Sequence, residues 1–158
     1  MVDKEETYTI REAAFAAGLS PKSIRNWLDD AEVASNLHLD ADADREGGQW
    51  RRFTFVDIVK LAVTGALSTY CVPLAYAARV ANTTVHYTWR PGRSHEDLWC
   101  KCEESFRSLI IRVWKGEAGW TMDLSEFEVV THAYVTFHPH AIAMKIAERL
   151  EIEETSGA

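Results

Sequence analysis

The stretch YTIREAAFAAGLSPKSIRNWL, Tyr8 to Leu28, reads as two short helices joined by a turn at Gly18. Ser20 is a favourable N-cap, and Pro21 suits the first position of the second helix, where a missing N–H costs nothing. Apolar residues recur every three or four positions, which predicts one buried face in each helix. These faces comprise Ile10, Ala13, Ala14 and Ala17, then Ile24, Trp27 and Leu28. The stretch therefore predicts a helix-turn-helix.

The outer face of the second helix is rich in hydrogen-bond donors. It carries Lys22, Ser23, Arg25 and Asn26. Side chains of these types reach phosphate oxygens and base edges in the major groove of DNA. Any amphipathic helix has a solvated face, so a plain surface helix is the alternative. We interpret this one as a DNA-recognition helix.

The charge of the chain limits which partners it can have. Its 158 residues carry a formal net charge of −7. This argues against a protein that coats nucleic acid non-specifically, because that affinity comes from cations neutralising phosphates. Two local cationic pairs, Lys22 with Arg25 and Arg51 with Arg52, still allow sequence-specific binding. We expect a homodimer, which doubles so small a footprint.

Membrane and secretory signals are absent from the sequence. No run approaches the about 20 apolar residues that a membrane span needs, and the first residues are mostly charged. The three cysteines are an odd number without a secretory leader, which favours reduced thiols. We therefore expect a cytoplasmic protein with no membrane contact.

A wing is predicted after the second helix. The polar stretch that follows contains Gly47-Gly48 as a turn. Short apolar pieces around Leu37 and Leu39, and again around Trp50 and Phe53, are expected to pair as its two strands. Arg51 and Arg52 would then lie on a β-ribbon beside the recognition helix.

Two further helices follow the predicted wing. Thr54 begins the first of them, with Asp57 placed to return a capping hydrogen bond. Pro73 begins the second. The predicted core faces are Ile58, Leu61, Ala62 and Gly65, with Tyr70 near the end, and then Leu74, Ala77, Ala78 and Ala81.

Three pieces of sequence now stand in a recognisable order: YTIREAAFAAGLSPKSIRNW, GGQWRRFTFVDIVKLA and GALSTYCVPLAYAARVA. Over residues 8–82 the chain resembles the winged helix-turn-helix domain of MerR-type bacterial transcriptional regulators. The resemblance implies that the donor face of the second helix meets DNA. It also implies that Arg51 and Arg52 contact phosphates from the wing.

The second half departs from that family, because no sustained heptad pattern follows Asn82. The predicted elements are an extended segment 83–89, a short helix 94–106, a strand 108–114, a turn 115–119, a return strand 120–122, a strand 128–137 and a helix from Pro139 with Ile142, Ala143, Ile146 and Leu150 inward. We therefore predict an α+β fold: a MerR-like winged helix-turn-helix, then a strand-rich module over 83–152 closed by a C-terminal helix. That module has a dimerisation or effector role, and residues 1–7 and 153–158 are predicted flexible tails.

A metal site and an acid–base catalytic site are the alternatives to DNA binding. Cys100 and Cys102, with His95, His138 and His140, are metal-ligand types, but a Cys-x-Cys pair on a helix points its thiols about 200° apart. His132 near Asp123, Glu126 and Glu128 has acid–base character, but no nucleophile elbow, P-loop or dinucleotide turn accompanies it. We predict no catalytic site, no metal site and no cofactor.

The sequence thus predicts a sequence-specific, double-stranded DNA-binding transcriptional regulator of bacterial or prophage origin. Its DNA-binding residues are Ser20, Lys22, Ser23, Arg25, Asn26, Gln49, Arg51 and Arg52. A protein partner such as RNA polymerase is left open. The alternative is an acidic protein-interaction module with a DNA-binding half, such as an antitoxin or a phage DNA-packaging or recombination accessory protein.

Overall fold

A computed structural model describes residues 7–39, 51–88, 111–123 and 134–156. Over these residues the chain combines helices with two small antiparallel sheets, which confirms the α+β class. In chain order the elements are β1 (Thr7–Tyr8), α1 (Ile10–Ala17), α2 (Pro21–Asp29), α3 (Ala31–Leu37), β2 (Phe53–Thr54), α4 (Phe55–Ser68), α5 (Leu74–Thr88), β3 (Ile111–Gly116), β4 (Gly119–Asp123), β5 (Tyr134–Phe137) and α6 (Pro139–Ser156).

The predicted helix-turn-helix is present as α1 and α2. Helix α1 begins with a capping box, in which the side chains of Thr9 and Glu12 each bond the other's backbone N–H. It ends at Gly18, whose φ of 70° is left-handed. The N–H of Leu19 then bonds the carbonyl of Ala14 at 2.8 Å, which closes the turn as a Schellman motif.

One predicted wing strand is wrong, because the residues up to Leu37 form helix α3. The carboxylate of Asp30 accepts the backbone N–H groups of Glu32 and Val33, so it is the N-cap of this helix. Val33 and Leu37 lie four residues apart and are both buried. This local capping and i, i+4 burial outweigh the weak strand pattern around Leu37.

The strand at Phe53 has a different partner from the predicted one. It pairs with β1, with Tyr8 opposite Phe53 and Thr7 opposite Thr54 in an antiparallel register. The predicted turn at Gly47-Gly48 lies outside the described residues. The observed ribbon therefore joins the segment before α1 to the segment before α4.

Helix α4 is built as the sequence predicts. Thr54 and Asp57 form a buried capping box at its start. The predicted core residues Ile58, Leu61, Ala62 and Gly65 are all buried. Tyr70 is a correction, since it follows the end of α4 and is 64% exposed. It contributes nothing to the core face.

Helix α5 is longer than predicted, because it continues to Thr88. The expectation of an extended segment from residue 83 is wrong as far as residue 88. The β-branched pair Thr83-Thr84 favours a strand locally. Inside the helix, however, the hydroxyl of the buried Thr84 donates to the carbonyl of Val80 at 2.8 Å. The helix thus crosses the predicted domain boundary at residue 82.

The second half contains the predicted hairpin. Strands β3 and β4 pair in an antiparallel register that closes at Gly116 and Gly119, and β5 pairs with the other edge of β3. Residues 124–133 lie outside the described part of the chain, as does the predicted helix 94–106. The 108–114 and 128–137 strands are therefore seen only where they overlap β3 and β5.

Helix α6 packs against α1 and α4. It begins at Pro139, as predicted, and continues beyond residue 152 to Ser156. Its buried residues Ala143, Ile146 and Leu150 belong to the same hydrophobic cluster as the core of the first half. Within the described ranges, no helix is both long and apolar enough to cross a membrane. The last helix is thus part of the core that supports α1 and α2.

Candidate nucleic-acid interface

The start of α2 is fixed by two serines. The hydroxyl oxygen of Ser20 accepts the backbone N–H of Ser23 at 3.0 Å. The two hydroxyls also share a hydrogen bond at 2.9 Å. Ser20 is thus the N-cap of α2, as the sequence predicts. The DNA contacts predicted for both serines stay predictions. The two hydroxyls hold the first turn of the helix in place.

The two faces of α2 differ sharply in burial. Ile24 is 0% exposed and Leu28 is also buried. Lys22, Arg25 and Asn26 are exposed. At 100° per residue these three side chains span an arc of about 100° centred on the side opposite Ile24. The structure therefore brings the three predicted donors together on one open surface.

Charge is unevenly distributed along α2. Lys22 and Arg25 lie in its first five residues, where the helix dipole is positive. Asp29 and Asp30 are exposed at its end. Cations and the positive end of the dipole both favour an anion near the start of the helix. The two aspartates disfavour one near its end. A polyanion is therefore expected to approach the N-terminal half of α2.

Helix α4 lies close to the turn and to α2 at Gly65. A Cβ atom at this position would lie 2.7 Å from Cδ2 of Leu19 and 3.6 Å from Cη2 of Trp27. The first distance is shorter than real Cβ contacts, so a side chain here would displace Leu19. The absence of a side chain at Gly65 thus sets how closely α2 rests on the core.

The two predicted wing arginines are in different environments. Arg51 is half-buried and Arg52 is exposed. The Arg52 guanidinium donates from Nη2 to the carbonyl of Thr7 at 2.6 Å and from Nε to Oγ1 of Thr7 at 3.2 Å. Gln49, the remaining predicted contact, lies outside the described residues. Arg52 is therefore bound to strand β1 in this structure.

Two further long-range hydrogen bonds were not predicted from the sequence. The ammonium of Lys60, only 6% exposed, donates to the carbonyl of His38 at 2.6 Å and so satisfies the end of α3. Nη1 of Arg149 donates to the carbonyl of Ala16 at the end of α1, at 2.9 Å. A lysine within the apolar row of α4 was a signal for the first contact. The sequence carries no local signal for the second.

The alternative metal site is only partly described. Cys100, Cys102 and His95 lie outside the described residues. His138 is exposed and His140 is half-buried. In the part of the chain that the structure describes, no group of three or more His, Cys, Asp or Glu side chains is arranged to hold a metal ion. His132, named for the alternative acid–base site, is also outside that part.

No protein-family model matches this chain, and no curated protein matches it significantly. The functional interpretation therefore rests on its own residues, above all on the open donor surface of α2.

Proposed function

We propose that this protein is a cytoplasmic transcriptional regulator that binds specific sequences of double-stranded DNA through α2. One observation carries the proposal: α2 is capped and anchored on one side and presents Lys22, Arg25 and Asn26 together on the other. It also follows α1 across a closed turn, which is the arrangement of a helix-turn-helix reader.

The chemistry of the three exposed side chains suggests separate roles. An arginine donates two hydrogen bonds to guanine, and an asparagine pairs with adenine, both in the major groove. We assign base contacts to Arg25 and Asn26 and a phosphate contact to Lys22. In this arrangement the N-terminal half of α2 enters the groove, and Asp29 and Asp30 remain farther from the phosphates.

So small a surface favours a dimer on DNA. Two copies related by a two-fold axis would place their α2 helices about 34 to 36 Å apart, or at a multiple of this distance, on a palindromic site. With few cations per copy, non-specific affinity should be weak and should fall as salt rises.

The proposal can be tested by selecting duplexes from a random library with the native protein and then measuring affinity by fluorescence anisotropy. We expect one enriched, palindromic motif. Arg25→Ala should weaken binding to it by about 1–3 kcal/mol and relax the preference at one base pair. Lys22→Ala should weaken all sequences equally and lower the salt slope by about 1.

The matched control is Arg79→Ala, which removes an exposed arginine from α5. It should leave affinity and motif unchanged. No enrichment and no binding at low salt would contradict the proposal. If a protein partner then co-purified with both the native chain and Arg25→Ala, the acidic interaction module would be the better explanation.

A further inference from the structure

Arg52 lies at the junction between the two segments that lead into the helix-turn-helix and into α4. Its two hydrogen bonds both end on Thr7, in strand β1. Residue 7 is two positions before Thr9, the N-cap of α1. Arg52 itself directly precedes β2, which leads into α4 through its N-cap Thr54. The guanidinium thus joins the entry points of two helices that are far apart in sequence.

The hydrogen bonds of Arg52 complement the backbone pairing of the same two strands. Over the described residues the β1–β2 ribbon consists of two residue pairs, Thr7 with Thr54 and Tyr8 with Phe53. A two-stranded ribbon this short is weak by itself. The planar guanidinium adds two parallel donors, Nε–H and Nη2–H, from one rigid group. Arg52 therefore adds side-chain hydrogen bonds to the backbone pairing of β1 and β2.

Glu12, beside the N-cap of α1, also has an electrostatic interaction with Arg52. The backbone and hydroxyl of Thr9 both donate to Glu12, which holds the pKa of that carboxyl below its usual value, and the positive charge of Arg52 lowers the pKa further. Glu12 is therefore an anion at neutral pH. A DNA phosphate would have to compete with Thr7 for the donors of this guanidinium.

We propose that Arg52 is a positioning residue that fixes α1 against α4, and thereby the placement of α2, and that it is not a phosphate contact. The inference rests on the proposed DNA-binding function, and it reverses the role that sequence resemblance gives to this residue. Lys22, exposed on α2, is the corresponding phosphate contact.

Three variants of the full chain separate the two roles: Arg52→Ala, Arg52→Lys and, for comparison, Lys22→Ala. Affinity for the selected duplex is measured by anisotropy at four or more salt concentrations. Circular dichroism at the assay temperature confirms that each variant is folded. A purely global loss of stability would leave the affinity of the folded protein unchanged.

A positioning role predicts that Arg52→Ala weakens binding between about three- and tenfold, within the range of a typical net hydrogen bond, at an unchanged salt slope. Arg52→Lys should behave in the same way, because an ammonium cannot reproduce the two parallel donors of the guanidinium. Lys22→Ala should lower the slope by about 1. Arg52→Ala should also lower the unfolding midpoint by about 2 to 4 °C.

Two results would overturn the inference. One is a slope lowered by about 1 in Arg52→Ala together with near-native affinity in Arg52→Lys, since a phosphate contact needs only the charge. The other is native affinity in Arg52→Ala. In both cases the native protein still binds DNA, so the proposed function survives. Absence of binding by the native protein contradicts the proposed function itself.

Discussion

The last carbonyls of α1 accept hydrogen bonds from three different residues. The carbonyl of Ala14 accepts the N–H of Leu19, and that of Phe15 accepts the N–H of Gly18. The next carbonyl, of Ala16, accepts the guanidinium of Arg149. Helix ends leave such carbonyls without partners inside the helix, so this network fixes where α1 stops and the turn toward α2 begins.

Gly18 is the residue on which this turn depends. Its φ of +70° strains any residue with a side chain, and a Cβ atom here would lie 3.1 Å from Nη1 of Arg149. We expect Gly18→Ala to lower the free energy of unfolding by about 1–2 kcal/mol. Urea denaturation of the full chain measures this change.

Arg149→Ala provides the matched background for this substitution. If part of the cost comes from crowding against the guanidinium, Gly18→Ala will cost less when Arg149 is already alanine. The same cost in both backgrounds would assign all of it to backbone strain. Native stability in the Gly18→Ala single variant would contradict the left-handed turn.

At the element scale, the close approach of α4 to the helix-turn-helix is a matter of side-chain size. Gly65 is buried under Leu19 and Trp27, while the next residue, Ala66, is exposed. We expect Gly65→Leu to lower the free energy of unfolding by about 1–3 kcal/mol through overpacking. Ala66→Leu adds the same leucine to the same helix and should change it by less than about 0.5 kcal/mol. Thermal unfolding followed by circular dichroism compares the two, and equal melting temperatures would exclude close packing at Gly65.

The elements that sequence reasoning predicted are those with local signals. The caps at Ser20 and Thr54 and the left-handed glycine after α1 act within a few residues, so they can be read directly. Helix α3 carried the same kind of signal in Asp30 and was missed, because its polar residues resemble a loop. The end of α5 was missed because the β-branched Thr83 and Thr84 favour strand locally, whereas inside the helix Thr84 is buried and its hydroxyl donates to the carbonyl of Val80.

The residues of the candidate site differ in the same way: those with a local sequence signal could be predicted, and those held by long-range contacts could not. The donor face of α2 follows from helical periodicity, so Lys22, Arg25 and Asn26 were identified from sequence. The bond from Arg52 to Thr7 spans 45 residues, and that from Arg149 to Ala16 spans 133. No local pattern encodes such contacts, since they depend on how the elements pack. The hydrogen bonds from Arg52 to Thr7 therefore could not be predicted from the sequence.

At the scale of the whole molecule, the second half is continuous with the first. Helix α5 crosses the predicted boundary, and its Tyr76 lies against Trp120 of β4, with ring centroids 6.4 Å apart. From the sheet, β5 leads through Pro139 into α6, which returns to α1 and α4. A structural path thus connects the strands to the end of α1. Any partner that displaced α6 would change the support of α2.

If α6 supports α1 through this path, a destabilising substitution in α6 should also destabilise α1. Ile146 is 1% exposed within the shared core, whereas Met144, on the same helix, is 47% exposed. Ile146→Ala should lower the free energy of unfolding by about 2–5 kcal/mol. Met144→Ala removes an exposed side chain and should change it by less than about 0.5 kcal/mol. Both substitutions introduce alanine into the same helix, and they differ in whether the side chain that is removed was buried or exposed.

Hydrogen exchange shows whether the loss is shared between the halves. If α6 and α1 belong to one cooperative unit, Ile146→Ala will reduce protection of the α1 amides and of the α6 amides by the same factor. If α1 and α2 form an independent domain, only α6 and the adjoining strands will exchange faster. The second outcome would contradict the shared core, and a DNA-binding fragment could then be cut from the chain. The first would mean that the proposed DNA-binding surface on α2 depends on the C-terminal helix.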